Sequence, residues 1–426
     1  MPRRVLLLLP QAPQDPSSGA ARSLRTICRL LANSRLPDGT PEFSVRAVGT
    51  TASDRGSWPN GEPAAALAAM GFSATRQPVP GEPRAALLAF DDHGVFTRLV
   101  DTGGRPGDLR ASGQRTLDAL LTDELRTVPP DICLTFGGHS ADHARRTRVR
   151  TAGAAVVFGL RQWGYIHAPR NFFTATHAID AVLTPSEFLL HRYRETHQIP
   201  AGAGLPSALD PAEIVAPEPR EPVFVTFINP SQEKGVFFFV RLAEQLALRR
   251  PDIPLLVQES RGTRDTLLAA ARAGGIDLAR FENILVSRPT ASPREIYAHA
   301  RLLLVPSAWE EPAGRVVSEA LLNGVPPLVA DRGGLPDEAN GGGLVLPLPP
   351  DFTLAATRPV EATAVQPWVD AIERLCSDET AYAAACTRAR AASRRYLVEN
   401  VAPLYCDFFR SVRRAVVEPV RETVAT

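Results

Sequence analysis

Pro306-Ser307-Ala308-Trp309-Glu310-Glu311-Pro312-Ala313-Gly314-Arg315-Val316-Val317-Ser318-Glu319-Ala320-Leu321 is the stretch on which the fold turns. It follows the apolar run 302–305, short and uninterrupted enough to be a buried strand. Residues 314–323 then read as a helix closed by Gly324 and Pro326, and residues 328–330 as the next strand. Strand, loop, helix and strand in that order predict a parallel βαβ unit, and such sheets bind ligands beyond the carboxyl ends of their strands.

The chemistry of the stretch follows from that placement. The N–H groups near Gly314, Arg315 and Val316 are unpaired donors at a helix start, where the helix dipole also favours an anion such as a diphosphate. Glu319, one to two turns further in, has two acceptor oxygens that suit a cis-diol such as a ribose. Glu311, just outside the helix, can hold sugar hydroxyls or stabilise positive charge as a glycosidic bond breaks. The plainer reading is a solvated helix end whose carboxylates favour the dipole.

Working outward, the same alternation recurs. Upstream, residues 223–228 form a strand, Phe239, Leu242, Ala243 and Leu246 an apolar helical stripe, and residues 254–257 another strand. Ser292-Pro293-Arg294-Glu295 has the form of a capping box with Pro at the first helical position. Between strand 223–228 and its helix lies Asn229-Pro230-Ser231-Gln232-Glu233-Lys234-Gly235. Lys234 is the only lysine in a chain whose other Lys or Arg positions are all arginine. A GC-rich genome accounts for the arginines but leaves open why this one position keeps a compact ammonium.

The first two hundred residues read as a second α/β region. Strands are expected at 5–9, 43–48, 131–136, 154–160 and 181–184, with helices around Leu24, Ile27, Cys28 and Leu31 and over 117–125. Residues 53–83 read as a loop, and Asp91-Asp92-His93-Gly94 as a hairpin turn rather than a metal site. Residues 199–222, rich in Gly and Pro, interrupt the alternation and read as a linker. His143-Ala144-Arg145-Arg146-Thr147-Arg148-Val149-Arg150 reads as a solvated basic helix face, with an anionic acceptor or lipid head group as the alternative.

Composition narrows the class. At 426 residues the chain is long enough for two domains, and 44% hydrophobic with 22% charged residues is ordinary for a folded globular protein. Lys and Arg total 47 against 46 for Asp and Glu, so no global field draws the chain to nucleic acid. No run approaches the roughly 18 apolar residues of a bilayer span, and Pro10-Gln11 ends the first apolar run too early for a signal peptide. Five widely spaced cysteines read as reduced thiols of a cytoplasmic protein, and no Cys or His cluster has zinc spacing.

With these motifs in place, the quoted stretch resembles the E-x7-E signature of retaining GT-B glycosyltransferases of family 4, the glycosyl transferases group 1, with Glu311 and Glu319 at its ends. Ala313 stands where the family usually has an aromatic residue. Residues 229–235 are similar to the family's lysine-glycine segment, which implies that Lys234 grips donor phosphate, with Asn229 and Ser231 of the same turn as further donor contacts. Asp331-Arg332-Gly333-Gly334-Leu335-Pro336-Asp337-Glu338 resembles the glycine-rich loop that closes around the donor. Ser17-Ser18-Gly19 matches the position of a small-residue loop bordering donor phosphate and acceptor.

Two departures stand out. Phe227 and Ile228 occupy the region where many relatives carry a Gly-Arg pair, so a second phosphate cation would have to come from Arg261 or Arg315. Gly159-Leu160-Arg161-Gln162 replaces a region where many members place a histidine against the transferred sugar. His139, after strand 131–136, is the substitute candidate, with His167 and His177 as alternatives.

The resemblance implies two doubly wound Rossmann-like domains facing a cleft. Residues 1–205 would bind the acceptor, 206–395 the nucleotide-sugar donor, and 396–426 would form a helical segment packing back toward the first domain. It implies glycosyl transfer from a UDP- or GDP-type sugar to an unidentified glycan, lipid-linked or small-molecule acceptor, with retention and without metal or organic cofactor. The alternatives are a nucleotide-sugar-binding protein without turnover and a GT-B nucleotide-sugar epimerase.

Overall fold

The computed structural model describes residues 1–414 except 59–60, 103, 106–108, 177 and 291. The chain divides into two compact units, the first comprising Met1–Thr184, Leu190–Leu205 and the stretch from Ala402, the second Pro185–Leu189 and Pro206–Val401.

The first unit is built on a nine-stranded sheet of β1 (Arg3–Leu8), β2 (Phe43–Thr50), β3 (Thr75–Val79), β4 (Glu82–Asp92), β5 (Val95–Val100), β6 (Ile132–Thr135), β7 (Ala155–Gly159), β8 (Ala181–Thr184) and β9 (Ala201–Gly204), in the order β3-β4-β5-β2-β1-β6-β7-β8-β9. Residues 5–8 of β1 and all of β6 and β7 are buried, as expected for parallel strands covered on both faces. Only β3, β4 and β5 pair antiparallel. The order turns back between β1 and β6, which are parallel neighbours in register Val5 to Ile132.

The second unit has a six-stranded parallel sheet of β10 (Phe224–Ile228), β11 (Leu255–Gln258), β12 (Ile284–Ser287), β13 (Ala300–Val305), β14 (Pro327–Ala330) and β15 (Leu344–Leu346), in the order β12-β11-β10-β13-β14-β15. Its switch point lies between β10 and β13. The helix Val236–Arg249 buries Val236, Phe239, Leu242, Ala243 and Leu246 in a core shared with Val225, Phe227, Leu255 and Leu304. Phe227 and Phe239 stack at 4.3 Å between ring centroids.

Several expectations are corrected. The helix Pro63–Ala69 and strand β3 lie inside the segment read as a loop, and both use residues too small or too polar to show a period. The expected linker opens with β9, which pairs with β8 in a register that sets Ala201 against Ala181 and Gly204 against Thr184, and it holds the short helix Pro211–Ile214. Ser292 does precede the helix Pro293–His299, but its side chain makes no capping bond; the Thr290 hydroxyl engages Glu295 at 2.6 Å instead.

The basic run is not a solvated face. Within the helix Ser140–Thr151, Arg145 and Arg146 are buried. Arg145 Nε donates to Asp118 Oδ1 at 2.8 Å, and Arg146 Nη1 donates to the Gly137 carbonyl at 2.7 Å while its guanidinium lies 5.4 Å from the Phe158 ring centroid. Spacing along the chain cannot show this, because the acceptors come from other elements.

The hairpin turn forms, with Asp91 Oδ1 accepting from Gly94 N at 2.9 Å. Its neighbour Asp92 is instead a buried junction, accepting from Gln14 Nε2 at 2.8 Å and Arg25 Nη2 at 2.9 Å. At the other end of the described chain, the helix Val398–Ser411 is tied to β1 through Arg3, whose guanidinium donates to the carbonyls of Phe409, Arg410 and Val412. Residues 415–426 of the segment expected to pack back lie outside the described residues.

Candidate functional site

The residues singled out in the second unit gather on loops at the carboxyl ends of β10, β11, β13 and β14, which are consecutive in the sheet. These loops are pressed backbone against backbone. A Cβ on Gly235, at φ +85°, would lie 1.9 Å from the Pro306 carbonyl oxygen, so only glycine lets the loop after β10 meet the end of β13. Ala308 N donates to the Glu233 carbonyl at 3.0 Å across the same seam. On the far side, Gly333 has no room for a Cβ beside Glu311 N, and Gly334 N donates to the Glu311 carbonyl at 2.8 Å. The Asp331–Glu338 stretch therefore braces the Glu311 backbone.

Within this frame Lys234 and Glu311 meet directly. The Lys234 ammonium lies 2.5 Å from Glu311 Oε1, which also accepts from the Ser307 hydroxyl at 2.8 Å. Glu311 is buried, whereas the Lys234 side chain is 22% exposed, so the carboxylate is enclosed and the cation reachable. Trp309 flanks the pair, with Lys234 Nζ 5.5 Å from its ring centroid. The Trp309 Nε1 is buried without a partner among the described residues.

Gly314, at φ +103°, starts the helix Arg315–Leu322, and its missing side chain leaves space that Leu335 occupies. The N–H groups of Arg315 and Val316 have no backbone acceptor among the described residues, as first-turn donors do not. Glu319 is buried and held from two sides: Arg315 Nε donates to Oε1 at 2.7 Å and the Tyr297 hydroxyl to Oε2 at 3.1 Å. Each oxygen keeps a further lone pair. Arg315 Nη1 is buried with no partner among the described residues, a donor that a ligand oxygen would satisfy.

The remaining positions divide. Asn229, at φ +66°, spends its amide oxygen on Gly262 N at 2.6 Å, so it braces the loop after β11. Ser231 hydrogen-bonds Glu233. Burial opposes ionisation of Glu233, yet that bond, its own amide and the charges of Arg261 and Lys234 together hold its carboxyl below the usual range.

In the first unit, Ser18 and Gly19 follow β1 and His139 follows β6, so all three lie at the switch point of that sheet. The Ser18 hydroxyl caps the helix Gly19–Ala32, accepting from Ala21 N at 3.4 Å, and open space lies beside Gly19. His139 is exposed at the N-cap of its helix, where its N–H donates to Asp142 Oδ2 at 3.3 Å. His167 is exposed in the turn before the helical segment Phe172–Thr176, and His177 lies outside the described residues.

Sequence reasoning missed Tyr297, Ser307 and Trp309. Ser307 stands four residues before Glu311, a spacing visible in the quoted stretch, whereas Tyr297 comes from the preceding helix and gives no local signal. Among the described residues, no group of three or more His, Cys, Asp or Glu could hold a metal, and no helix is long and apolar enough to cross a membrane.

Residues 213–391, which lie within the second unit, match the family described as Glycosyl transferases group 1. A D-inositol 3-phosphate glycosyltransferase of Corynebacterium aurimucosum is 31% identical over 162 residues, 36% of this chain; the match spans 35% of that protein's length. Among solved structures, Anabaena Alr3699/HepE in complex with UDP and glucose superposes with a TM-score of 0.63 at 16% identity, covering 96% of this chain and 99% of that one. The α,α-trehalose 6-phosphate synthase of Burkholderia multivorans gives 0.57 at 13% identity, covering 96% of each. At such identities the likeness is one of fold: two Rossmann-like α/β sheets, as in GT-B glycosyltransferase structures.

Proposed function

We propose that this chain is a glycosyltransferase that takes a sugar from a nucleotide-diphosphate sugar held at the switch point of the second sheet and passes it to an acceptor alcohol with retention of configuration. The observation that carries the reading is that Lys234 meets Glu311 just before the helix on which Arg315 holds Glu319, within a stretch that matches a glycosyl transferase family.

In this reading the Lys234 ammonium exchanges its contact with Glu311 for a phosphoryl oxygen. The first-turn amides of Arg315 and Val316 share the charge of the departing diphosphate. Glu319, oriented by Arg315 and Tyr297, takes the ribose diol on its unused lone pairs. Glu311 faces the sugar and stabilises the oxocarbenium-like centre as the bond to phosphate breaks. Ser18, Gly19 and His139 are assigned to the acceptor and the transferred sugar. Asn229, with its amide oxygen engaged, supports the site through the loop it holds.

No metal is assigned a role, and the enzyme is expected to keep its activity in EDTA. The donor is placed in the UDP class, after the UDP held by the Anabaena protein of like fold, with GDP as the alternative. Polyol phosphates are among the candidate acceptors, because the relative from Corynebacterium aurimucosum is named for one. A cytoplasmic site of action suits the free thiols.

The test is a thermal-shift and calorimetric screen against UDP, GDP, ADP, TDP and their sugar conjugates, repeated on Glu319→Ala. Stabilisation by one nucleotide, lost in the variant, supports the donor site; no response to any of them at millimolar concentration sinks it. Retention is read from the anomeric configuration of the product by NMR. Gly159–Gln162 in place of the family's histidine favours a second reading, binding without turnover, which predicts donor binding with neither hydrolysis nor transfer.

A further inference from the structure

One cation at the edge of the second sheet is positioned by more structure than an exposed arginine needs. Arg261 lies in the loop between β11 and the helix Arg264–Ala273. The next residue, Gly262, is buried and donates its N–H to Asn229 Oδ1 at 2.6 Å. A Cβ there would lie 2.3 Å from the Pro230 carbonyl carbon and 2.6 Å from Ser231 N. The loop after β11 therefore rests, backbone on backbone, on the turn that carries Lys234, and Asn229 adopts the left-handed region at φ +66° to make that contact.

The clamp fixes the Arg261 backbone beside the lysine turn and leaves its guanidinium exposed and without an ion pair among the described residues. Its charge and that of Lys234 both favour the ionised Glu233 carboxyl. Arg315, the other nearby arginine, is oriented by Glu319, which holds its Nε at 2.7 Å, and only its buried Nη1 stays open to a ligand, whereas the whole Arg261 guanidinium is exposed.

We propose that Arg261 is the second cation of the diphosphate site, donating from its guanidinium to a phosphoryl oxygen of a nucleoside diphosphate whose other contacts are Lys234 and the amides of Arg315 and Val316. The inference rests on the donor-site reading above. A diphosphate bears more charge than one ammonium neutralises, and a planar guanidinium matches two phosphoryl oxygens at once. The cation arrives from the strand beside the lysine's own, which explains why its loop is stapled there by Asn229 and Gly262.

The experiment uses the full chain. Calorimetry with UDP, GDP and ADP first selects the base. The diphosphate, monophosphate and nucleoside of that base are then titrated into wild type, Arg261→Gln, Arg261→Lys, Lys234→Ala and Arg264→Gln, the last changing an exposed arginine at the start of the following helix. Arg261→Gln is expected to weaken the diphosphate about tenfold or more while leaving the nucleoside within about twofold, Arg261→Lys to fall between, and Arg264→Gln to stay within about twofold of wild type.

Wild-type affinity of Arg261→Gln for the diphosphate overturns the proposal, and so does an equal loss for the nucleoside or an equal effect of Arg264→Gln. If Lys234→Ala weakens the diphosphate while Arg261→Gln does not, the donor site stands and only Arg261 is removed from it. If wild type binds none of the diphosphates, the donor-site reading and the proposal fall together.

Discussion

Two ion pairs, one in each unit, use similar groups to different ends. In the first unit Asp92 accepts from Arg25 and Gln14, joining the hairpin to the first helix, with side chains only 1% and 10% exposed for Asp92 and Arg25. In the second, Lys234 meets Glu311 at 2.5 Å on adjacent strand-end loops, and the lysine remains 22% exposed. Enclosure of both partners makes a charge pair part of the framework, because nothing can compete for either. Where the cation stays reachable beside unpaired helix-start amides, an incoming anion can take it.

The sharpest way to break the comparison is Asp92→Ala. It strands a buried guanidinium and is expected to lower unfolding free energy by about 3–5 kcal/mol in urea denaturation. A loss under about 1 kcal/mol would mean that Arg25 finds water and the pair is not framework.

Glu338 is a further case, a buried carboxyl bonded to the hydroxyls of Ser318 and Ser207, with Oε1 lacking a partner among the described residues. Burial pushes it up to about 7 from its ordinary 4.5. The native state then holds a proton that the unfolded chain releases, so stability is fullest at acid pH and declines as pH rises from about 4.5 to about 7. Glu338→Gln removes that dependence and is expected to gain up to about 3 kcal/mol over wild type at pH 8, with the advantage vanishing near pH 4. Parallel stability curves for the two proteins across that range would show the carboxyl to be solvated.

Lys234→Ala should do the opposite of Asp92→Ala, weakening diphosphate binding by about 1–3 kcal/mol while changing stability little. The measurement is calorimetry beside denaturation of the same variant; a large stability loss would place Lys234 with Asp92. The smallest effect is expected at the open pair of the first unit, Arg410 with Glu42, where the arginine side chain is 51% exposed and Nη2 lies 3.0 Å from Oε2. Arg410→Gln should cost less than about 1 kcal/mol, and a cost equal to that of Asp92→Ala would show that exposure is not what separates these pairs.

The sequence was most readable where a local pattern sufficed. Strands with uninterrupted apolar runs, such as residues 131–136 and 302–305, appear within two residues of their expected bounds, since burial on both faces needs no partner to be recognised. Residues 63–69 and 75–79 escaped because alanines and exposed polar residues leave no period to read. Arg145 and Arg146 escaped because the same basic letters serve a solvated face or a buried clamp, and the difference lies in Asp118 and Gly137 on other elements.

By itself the sequence determined the alternation of strands and helices, the glycine before a helix start at 314, the single lysine at 234 and the eight-residue interval between Glu311 and Glu319. These are local facts, set by periodicity and backbone conformation. Only the tertiary structure decided that Lys234 touches Glu311, that Tyr297 and Arg315 hold Glu319, and that Asn229 reaches across to Gly262 rather than outward. Those contacts depend on which strands lie side by side, because parallel pairing brings loops distant in the chain to one edge of a sheet.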